Sequence, residues 1–474
     1  MKNSIGTELL RFKTDSKEIR KGDIFVAIKG TINDGHDFID EALKNGALFC
    51  IVENKNLFYK KKYRDRLLYV TSTKSEISRL AADFFNDPSK KLKTAGITGT
   101  NGKTTVAYLL HHILNKSGVK TGLIGTIDCI VGNNRYPSTH TTPNAVILNY
   151  LLNRMLKKKS KAAVMEVSSH ALCQSRVESI FFDVAVFTNI TPEHLDYHKN
   201  MQNYCNAKRK ILGSLKNNGW RVVNNDDSLL KSTMGALRKN TLTYGILKNA
   251  DIKARDVQLD INGASFGVRY KRKSYRFKSS LIGMHNVYNV LAATGTALLL
   301  GVPMARVIRG ISSFKTVAGR LERINARHIH VYIDYAHTED GLRNVLDALS
   351  GLKRRNIITV FGCGGDRDAL KRPKMGNTAC RYSDTVVVTN DNPRTEKPGK
   401  IIADVRKGIP TSFKDLHIIP DRSKAIEKAI KSAQKGDIVL IAGKGHENFQ
   451  ILGTKKIKFD DYDEAKKILK RLCK

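Results

Sequence analysis

The chain has 474 residues, 41% of them hydrophobic and 27% charged, which excludes a disordered chain and exceeds the usual size of one hydrophobic core. We expect a globular protein of about two to four domains. The 82 basic and 44 acidic residues give a net charge of +38, which favours anionic partners such as nucleotides, nucleic acid or acidic lipids.

The apolar segments are all too short to cross a membrane, and residues 1–6 lack the apolar core of a signal peptide. The seven cysteines are scattered and never spaced as CxxC, which favours reduced thiols over disulfides or a structural zinc site. These features predict a cytoplasmic protein with no membrane span.

Residues 1–92 are predicted to form a small N-terminal α/β domain. An apolar strand at 24–28 precedes a turn rich in Gly, Asn and Asp at 30–37 and then a helix that ends at Gly46. Such a turn alone indicates no function. The run 86–88, Asn-Asp-Pro, breaks the chain and marks the boundary with the next domain.

The stretch 93–118 combines a short buried strand, a glycine-rich loop and an amphipathic helix that ends at Gly118. In such a unit, backbone N–H groups and the helix dipole bind phosphate, Lys103 reaches the outer phosphates and the Thr104 hydroxyl can ligate Mg²⁺. The alternative is an ordinary turn between strand and helix, for which Gly-Lys-Thr would be unusual. The predicted ATP-binding residues are Gly99, Thr100, Asn101, Gly102, Lys103, Thr104 and Thr105.

Two later strands of the central domain, which we place at residues 93–317, end in polar residues. The apolar run 161–165 leads into Glu166, and the run 183–187 leads to a segment that contains His194. The carboxyl ends of strands in a doubly wound sheet line one crevice, so we expect both side chains to face the phosphates held by Lys103 and to bind Mg²⁺. For His194 a purely structural role is the alternative.

The rest of the central domain gives weaker indications. An amphipathic helix is predicted to begin at Tyr204, and nothing in its pattern distinguishes Lys208 from a surface lysine. Residues 250–280 are predicted to form antiparallel strands, followed by an apolar helix. Asn286 and Asn289 either cap that helix or contact a nucleotide.

Residues 318–474 are predicted to form a C-terminal, Rossmann-like α/β domain. Apolar strands alternate with helices, which indicates a mainly parallel sheet, and a polar segment follows each of four strands. Four polar segments at one edge favour a binding site over simple turns. These segments are 334–337, 362–368, 391–394 and 443–447. The predicted fold class is α/β with three domains, the central one a P-loop domain with a doubly wound, mainly parallel sheet.

The basic residues are dispersed along the chain without interleaved aromatic residues or a nucleic-acid-binding module. We therefore interpret most of the positive charge as a lysine-rich solvated surface. A basic P-loop NTPase that acts on nucleic acid is the alternative that the charge leaves open.

Taken together, the motifs resemble those of the Mur ligases of peptidoglycan synthesis over essentially the whole chain. Within that family the similarity is greatest to the ligases that add the third amino acid, in the form that adds diaminopimelate. The segments that carry the resemblance are 99–104, 166–170, 188–189, 194–198, 319–320, 334–337 and 443–447.

The resemblance implies an ATP-dependent ligase of peptidoglycan precursor synthesis. ATP phosphorylates the D-glutamyl side-chain carboxylate of UDP-N-acetylmuramoyl-L-alanyl-D-glutamate, and the amine of meso-diaminopimelate then attacks the acyl phosphate. Anions must first be brought together, so the site needs positive charge from Mg²⁺, Lys103 and helix N-termini. Two Mg²⁺ ions, a monomer and no specific nucleic-acid partner are expected.

The resemblance also implies roles for single residues on the nucleotide side. The family residues that match Glu166 and His194 bind metal, and the lysine that matches Lys208 is carbamylated, which turns a cation into an anion able to position a second Mg²⁺. The expected metal ligands are therefore Thr104, Glu166, His194 and Lys208. The expected catalytic residues are Lys103, Glu166, His194 and Lys208. Arg320 and Asp334 resemble residues that close on ATP, and Asn286 and Asn289 match nucleotide-side asparagines.

For the sugar-nucleotide substrate, the resemblance implies two groups of residues. Ser16 with Thr31, Ile32 and Asn33 resembles the uridine diphosphate site. Contacts to the muramoyl-dipeptide portion are implied for Thr141, Thr142, Ser168, Gln174 and Arg176.

The amino-acid specificity is expected to depend on Arg394. Diaminopimelate differs from lysine by one distal carboxylate, which an arginine can bind through two parallel charge-assisted hydrogen bonds. Lysine-adding family members lack this arginine, so a lysine-adding ligase is the less favoured alternative, as is a folylpolyglutamate synthetase. The remaining implied contacts are Arg367, Asp391, Asn392, Pro393, Gly443 and Glu447, with Glu447 suited to the distal ammonium.

Overall fold

The structure, a computed structural model, describes residues 11–30, 33–63, 65–234, 240–326, 328–352 and 355–472. Thr31 and Ile32, two residues of the expected uridine diphosphate site, lie outside the described residues, as does Cys473. Contacts divide the chain into two compact units. The first comprises the described residues of 1–98, 119–185 and 206–220, and the second those of 99–118, 186–205 and 221–474.

Four parallel strands form the first sheet, in the order β1-β2-β3-β4, with apolar side chains buried on both faces. Helix α3 is capped at its N-terminus by Ser72, whose hydroxyl accepts from the Ser75 N–H. The elements are β1 Phe12–Lys13, β2 Ile24–Val26, α1 Ile39–Lys44, β3 Phe49–Val52, α2 Lys55–Phe58, β4 Leu67–Tyr69 and α3 Thr73–Phe84.

Eleven strands form the second sheet, in the order β15-β14-β13-β12-β11-β10-β5-β9-β6-β7-β8. Parallel pairs such as β5 with β9 lie at its centre, and antiparallel hairpins lie at both edges. The strands are β5 Lys93–Thr98, β6 Thr121–Ile124, β7 Asp128–Val131, β8 Asn134–Pro137, β9 Ala162–Glu166, β10 Phe182–Phe187, β11 Leu215–Asn224, β12 Thr241–Gly245, β13 Ile252–Asp260, β14 Gly263–Tyr270 and β15 Lys273–Ser279. The helices are α4 Lys103–Lys116, α5 Ala145–Lys157, α6 Ser169–Cys173, α7 Leu195–His198, α8 Met201–Arg209, α9 Ser228–Met234, α10 Met284–Leu299 and α11 Met304–Ser313.

Six strands form the third sheet, in the order β16-β17-β21-β18-β19-β20, and only the pair β16–β17 is antiparallel. Two separate apolar clusters bury its faces, one including α12, α13 and α14 and the other α15 and α16. The elements are β16 Glu322–Asn325, β17 His330–Asp334, α12 Glu339–Ser350, β18 Ile357–Phe361, α13 Lys371–Tyr382, β19 Thr385–Val388, α14 Pro398–Arg406, β20 Leu416–Ile418, α15 Arg422–Ser432, β21 Ile438–Ala442, β22 Phe449–Leu452, β23 Lys455–Lys458 and α16 Asp461–Leu472.

The predicted α/β fold class is confirmed, including the strand before the glycine-rich loop and the antiparallel strands near residues 250–280. The domain boundaries stay a prediction. One predicted helix boundary is wrong. Helix α8 begins at Met201 rather than Tyr204 and ends at Arg209, so the buried residues Tyr204 and Cys205 lie inside the helix and not at its start.

The structure also bears on the expected thiols and membrane topology. The six cysteines in the described part of the chain are free thiols, in line with the predicted reduced state. None of the described helices is long and apolar enough to cross a bilayer.

Candidate active site

The glycine-rich loop between β5 and α4 depends on its glycines. Gly99 has φ +144° and Gly102 has φ +86°, backbone conformations that side chains disfavour. A Cβ on Gly99 would overlap the Thr188 hydroxyl, and one on Gly102 would overlap the Asn289 amide oxygen. No side chain caps the N-terminus of α4. The loop therefore approaches its neighbours closely while the helix N-terminus faces it, the arrangement that binds phosphate.

Lys103 and Thr104 occupy the first turn of α4. The Lys103 ammonium donates to the backbone oxygens of Gly99 (2.9 Å) and Thr100 (2.7 Å), so it lies over the loop. Thr104 is buried, and its hydroxyl oxygen accepts from Arg320 Nη2 at 3.3 Å. Two predicted cations thus lie at the phosphate loop.

Asn101 is fixed by residues that the sequence analysis did not assign to the site. Its N–H donates to Asn189 Oδ1 (2.9 Å), and its carbonyl accepts from Thr188 Oγ1 (2.6 Å). Its side-chain Nδ2 donates to Asp340 Oδ2 (2.7 Å), which also accepts from Thr191 Oγ1 (3.0 Å). Thr188 and Asn189 follow a predicted strand, which could have identified them. Asp340 lies 239 residues away in sequence from Asn101.

The two asparagines of α10 are buried and bonded to each other, Asn289 Nδ2 to Asn286 Oδ1 at 2.9 Å. The capping alternative is wrong. The N-cap is Gly283, and Asn286 instead donates back to the Ile282 carbonyl at 2.7 Å. Asn289 lies against Gly102 of the phosphate loop.

Arg320 and Asp334 lie near a stack of rings. The Arg320 guanidinium lies 4.6 Å from the centre of the Tyr335 ring, a cation–π geometry. The Tyr335 ring packs against His337 and His446, at 4.6 and 5.0 Å between centres. Burial, followed by Arg320, lowers the pKa of His446 to about 3, and burial with Lys371 lowers the pKa of His337 to about 4. The rings are therefore neutral at physiological pH.

The Asp334 carboxylate accepts hydrogen bonds from the neighbouring backbone. Its oxygens accept the N–H groups of Leu321 and Ala336, both at 2.7 Å. Burial raises the pKa of Asp334, opposed by Arg320 and by these two hydrogen bonds. Its role toward ATP stays a prediction.

In the first compact unit, Glu166 is fully buried at the end of β9. Its Oε1 accepts the Thr126 N–H (2.8 Å) and its Oε2 accepts the Thr126 hydroxyl (2.9 Å). A Cβ on Gly125 would lie only 2.6 Å from Oε1. Thr126 and Gly125 were not predicted. They follow β6, whose carboxyl end is beside that of β9.

The residues expected to contact the muramoyl dipeptide form a hydrogen-bonded group next to Glu166. Thr142 Oγ1 donates to the Glu166 backbone oxygen (2.9 Å) and accepts the Ser168 N–H (3.0 Å). Arg176 Nη1 donates to the Thr142 backbone oxygen (2.8 Å). Further bonds complete the group, Arg176 to Gln174 Oε1 and Thr126 to Thr141 Oγ1. The five predicted residues are therefore linked to Glu166 through one chain of hydrogen bonds, directly in the case of Thr142 and through other residues in the rest.

Two of the expected metal ligands occupy unusual positions. His194 has φ +55° and precedes α7, with its Nε2 3.7 Å from Glu193 Oε1. Lys208 is buried in α8, with 1% of its surface exposed, although the pattern of its helix did not distinguish it from a surface lysine. Among the described residues, no three His, Cys, Asp or Glu side chains lie together as a metal site.

Ser16 and Asn33, the two described residues of the expected uridine diphosphate site, form hydrogen bonds with different partners. Ser16 is buried and its hydroxyl donates to Glu41 Oε2 at 2.5 Å. Asn33 is exposed, and its carbonyl accepts the Gly30 N–H at 2.9 Å. No hydrogen bond joins Ser16 and Asn33.

In the second compact unit, the polar ends of the third sheet's strands meet at one edge, as predicted. Asn392 Nδ2 donates to Glu447 Oε2 (2.9 Å), and Asn392 Oδ1 accepts the Ile451 N–H (2.9 Å). The Gly443 N–H donates to the Asp334 carbonyl (3.0 Å), and a Cβ on Gly443 would lie 2.7 Å from Asp391 Oδ2. We call the group Asp391, Asn392, Arg394, Gly443, Lys444 and Glu447 the amino-acid edge.

Arg394 belongs to this edge, whereas Arg367 forms no hydrogen bond to it among the described residues. Arg394 has φ +53°, and its Nη1 donates to Gly365 O (2.7 Å) and Asn392 O (3.5 Å). Pro393, which precedes it, is buried, and its carbonyl would collide with a Cβ on Gly365. Arg367 is exposed and donates to the Asp366 backbone oxygen.

The arrangement suits transfer of a phosphoryl group and recognition of a charged amino acid. Cations and backbone N–H groups converge at the phosphate loop, where they would stabilise developing negative charge. The amino-acid edge contains a guanidinium, an ammonium and two carboxylates, which matches a ligand that carries both charges.

Three family models match the chain. "Mur ligase family, catalytic domain" matches residues 12–85, "Mur ligase middle domain" matches 97–297 and "Mur ligase, glutamate ligase domain" matches 319–445.

Curated relatives are similar over almost the whole chain. A UDP-N-acetylmuramoyl-L-alanyl-D-glutamate–2,6-diaminopimelate ligase of Oceanobacillus iheyensis is 41% identical over 471 residues, which cover 98% of this chain and 95% of the relative. A ligase of the same name from Clostridioides difficile is 38% identical over 476 residues, covering 100% and 97%.

Solved structures give the same picture. One described as a UDP-N-acetylmuramoyl-L-alanyl-D-glutamate–2,6-diaminopimelate ligase is 32% identical with a TM-score of 0.67, covering 98% of this chain and 95% of that one. A MurF ligase from Thermotoga maritima in complex with ADP shares the fold at 22% identity, with a TM-score of 0.66 and coverage of 98% and 97%.

Proposed function

The chain belongs to the Mur ligase family, and we propose that it joins 2,6-diaminopimelate to UDP-N-acetylmuramoyl-L-alanyl-D-glutamate at the expense of ATP. It is an ATP-dependent amide ligase. The observation that carries the proposal is similarity over nearly the full length to relatives named for this reaction. The amino-acid edge, with a guanidinium and a carboxylate both bonded to Asn392, supports this choice of amino acid. The meso isomer stays a prediction.

The reaction has two chemical steps. A D-glutamyl carboxylate oxygen attacks the γ-phosphorus of ATP, which breaks the bond to ADP and forms an acyl phosphate. The neutral amine of diaminopimelate then attacks the acyl carbon, loses a proton and expels inorganic phosphate, which leaves the amide. In our proposal Lys103 and the N-terminus of α4 hold the outer phosphates of ATP. Arg320, whose Nη2 donates to the Thr104 hydroxyl, binds ATP beside them.

For the acid substrate, we propose that the group around Glu166 binds the dipeptide portion. Thr142, Ser168 and Arg176 form one hydrogen-bonded set there, which holds these side chains in fixed positions for contacts to the dipeptide. Ser16, Thr31, Ile32 and Asn33 are proposed for the uridine diphosphate portion.

We propose that the protein binds divalent metal. Glu166 and Lys208 are both buried, and a buried charge is costly unless it is paired. Carbamylation would turn the Lys208 cation into an anion that could hold a metal ion together with Glu166. We propose Glu166, His194, Thr104 and carbamylated Lys208 as the ligands of two Mg²⁺ ions. Bound Mg²⁺ would neutralise charge on the phosphates.

A cytoplasmic location and a monomeric state complete the proposal.

Release of ADP by the purified protein tests the proposal. We expect sustained release to require ATP, the sugar-nucleotide dipeptide and diaminopimelate together, because the acyl phosphate forms only on the bound acid and is consumed only when the amine attacks it. Stimulation of ATP hydrolysis by DNA or RNA, without these substrates, would instead support the nucleic-acid alternative.

A further inference from the structure

The amino-acid edge contains a buried lysine, Lys444, which lies between two of the residues proposed to bind diaminopimelate. Its side chain has no exposed surface. Its Nζ donates to Glu447 Oε2 (3.1 Å) and to Asn392 Oδ1 (3.3 Å). Nothing in the proposed reaction assigns a role to this ammonium.

The local sequence directs this side chain inward. Lys444 lies between Gly443, with φ +116°, and Gly445, with φ +52°. A Cβ on Gly445 would lie 2.7 Å from Tyr335 Cβ, so the loop passes too close to its neighbour for a larger residue. The Gly-Lys-Gly run therefore reverses the chain tightly after β21 and buries the lysine.

A buried ammonium is costly unless its partners repay the loss of water. A neutral side chain of similar length would fill the same space beside the Phe449 ring, whose centre is 5.6 Å from Nζ. Stability alone therefore does not account for a lysine here, and its partners indicate what it does.

Glu447 and Asn392 are both held in one orientation by Lys444. Glu447 Oε2 accepts from Lys444 and from Asn392, whereas Oε1 accepts no hydrogen bond from the described residues. Asn392 also bonds to the second cation of the edge, since its backbone oxygen accepts from Arg394 Nη1. The edge thus has two cations bonded to Asn392, and the Glu447 carboxylate keeps its Oε1 available.

We infer that Lys444 is a positioning and specificity residue for the amino-acid substrate. It turns the open oxygen of Glu447 toward the distal ammonium of diaminopimelate, and its charge adds to that of Arg394 near the distal carboxylate. L-Lysine has the ammonium but lacks the distal carboxylate, so neither Arg394 nor Lys444 gains an anionic group from that ligand. The inference rests on the proposed function and adds a residue to it.

Lys444→Met and Lys444→Gln test the inference, with Lys456→Met as the matched control. Lys456 lies 3.5 Å from the centre of the same Phe449 ring, but it is exposed and touches neither Glu447 nor Asn392. We expect Lys444→Met to raise KM for diaminopimelate about tenfold or more, with KM for ATP changed less than about twofold. Lys444→Gln keeps a hydrogen-bond donor but no charge, so its KM for diaminopimelate should lie between those of the wild type and Lys444→Met. The control should behave as wild type.

The specificity claim has its own readout. The ratio of kcat/KM for diaminopimelate to that for L-lysine should fall in Lys444→Met. Equal losses for both amino acids, an unchanged KM, or a parallel rise in KM for ATP would overturn the inference.

A cycle with Glu447→Gln tests whether Lys444 acts through Glu447. The double variant should have a KM close to that of Glu447→Gln alone, and multiplying effects would contradict the inference. If the wild type used L-lysine instead of diaminopimelate, the proposed function would fail. The positioning role of Lys444 would then be decided by the variants' KM for L-lysine.

Discussion

Asn101 of the phosphate loop donates a 2.7 Å hydrogen bond from Nδ2 to Oδ2 of Asp340, in the first turn of α12. Asp340 Oδ1 is paired with Arg343, which fixes the carboxylate. The loop that is proposed to hold ATP is therefore stabilised by a helix of the third sheet's domain.

Asp340→Ala should weaken ATP binding, because the Asn101 side chain and the Thr191 hydroxyl lose their shared acceptor. We expect KM for ATP to rise about threefold to tenfold, the usual effect of one or two hydrogen bonds. Steady-state kinetics with varied ATP provide the measurement. Asp347→Ala, at an exposed position of the same helix, serves as the control. Equal KM values in the two variants would refute the role of Asp340.

Lys103→Met should lower kcat by more than about a hundredfold, because the ammonium over the phosphate loop is expected to stabilise charge on the transferred phosphoryl group. Lys116→Met changes an exposed lysine at the other end of α4 and should leave kcat unchanged. Single-turnover formation of ADP measures the step. Retention of wild-type rates by Lys103→Met would rule out this phosphate site.

Arg394→Ala should abolish diaminopimelate addition and leave ATP affinity intact, because the fork that is proposed for the distal carboxylate is lost. Arg394→Lys keeps a positive charge without the paired donors and should recover only part of the activity. Kinetics with varied diaminopimelate give the comparison. Unchanged kinetics in Arg394→Ala would contradict the assignment.

Lys208 should carry a carbamate in the active protein. Incubation with ¹³C-labelled bicarbonate should give a carbamate resonance in the NMR spectrum that disappears in Lys208→Ala. The variant Lys210→Ala, with an exposed lysine removed from the adjacent turn, should keep the resonance. A spectrum without the resonance in the wild type would exclude the modification.

Acid should destabilise the fold through His337 and His446, whose pKa values are lowered to about 4 and about 3 from an ordinary value of 6.5. Between about pH 4 and 6.5 the unfolded chain binds protons that the folded chain does not. The free energy of unfolding therefore rises with pH through this window and falls on acidification. Urea unfolding at several pH values should show a shallower dependence in His337→Gln. An identical slope in variant and wild type would show that His337 does not contribute.

The fold and the phosphate loop were predictable because their signals are local. Apolar runs of strand length, helical spacing and the glycines before Lys103 act over a few residues, and the structure follows them. The convergence at the third sheet was predictable as well, because the carboxyl ends of parallel strands share an edge.

The remaining features depend on packing between distant segments. The Asn101–Asp340 bond and the burial of Lys208 and Lys444 arise only when distant parts of the chain pack together. Asn286 illustrates the same point. From the sequence, its side-chain amide could cap the helix. In the structure it instead donates to the Ile282 carbonyl and accepts from Asn289.

The identity of the product tests the central claim most directly. Purified protein is given ATP, Mg²⁺, UDP-N-acetylmuramoyl-L-alanyl-D-glutamate and equal amounts of diaminopimelate and L-lysine, and the sugar-nucleotide products are identified by mass spectrometry. We predict that the diaminopimelate-containing tripeptide forms with release of ADP and phosphate. Predominant formation of the lysine-containing product, or ATP consumption without any new amide, would contradict the account.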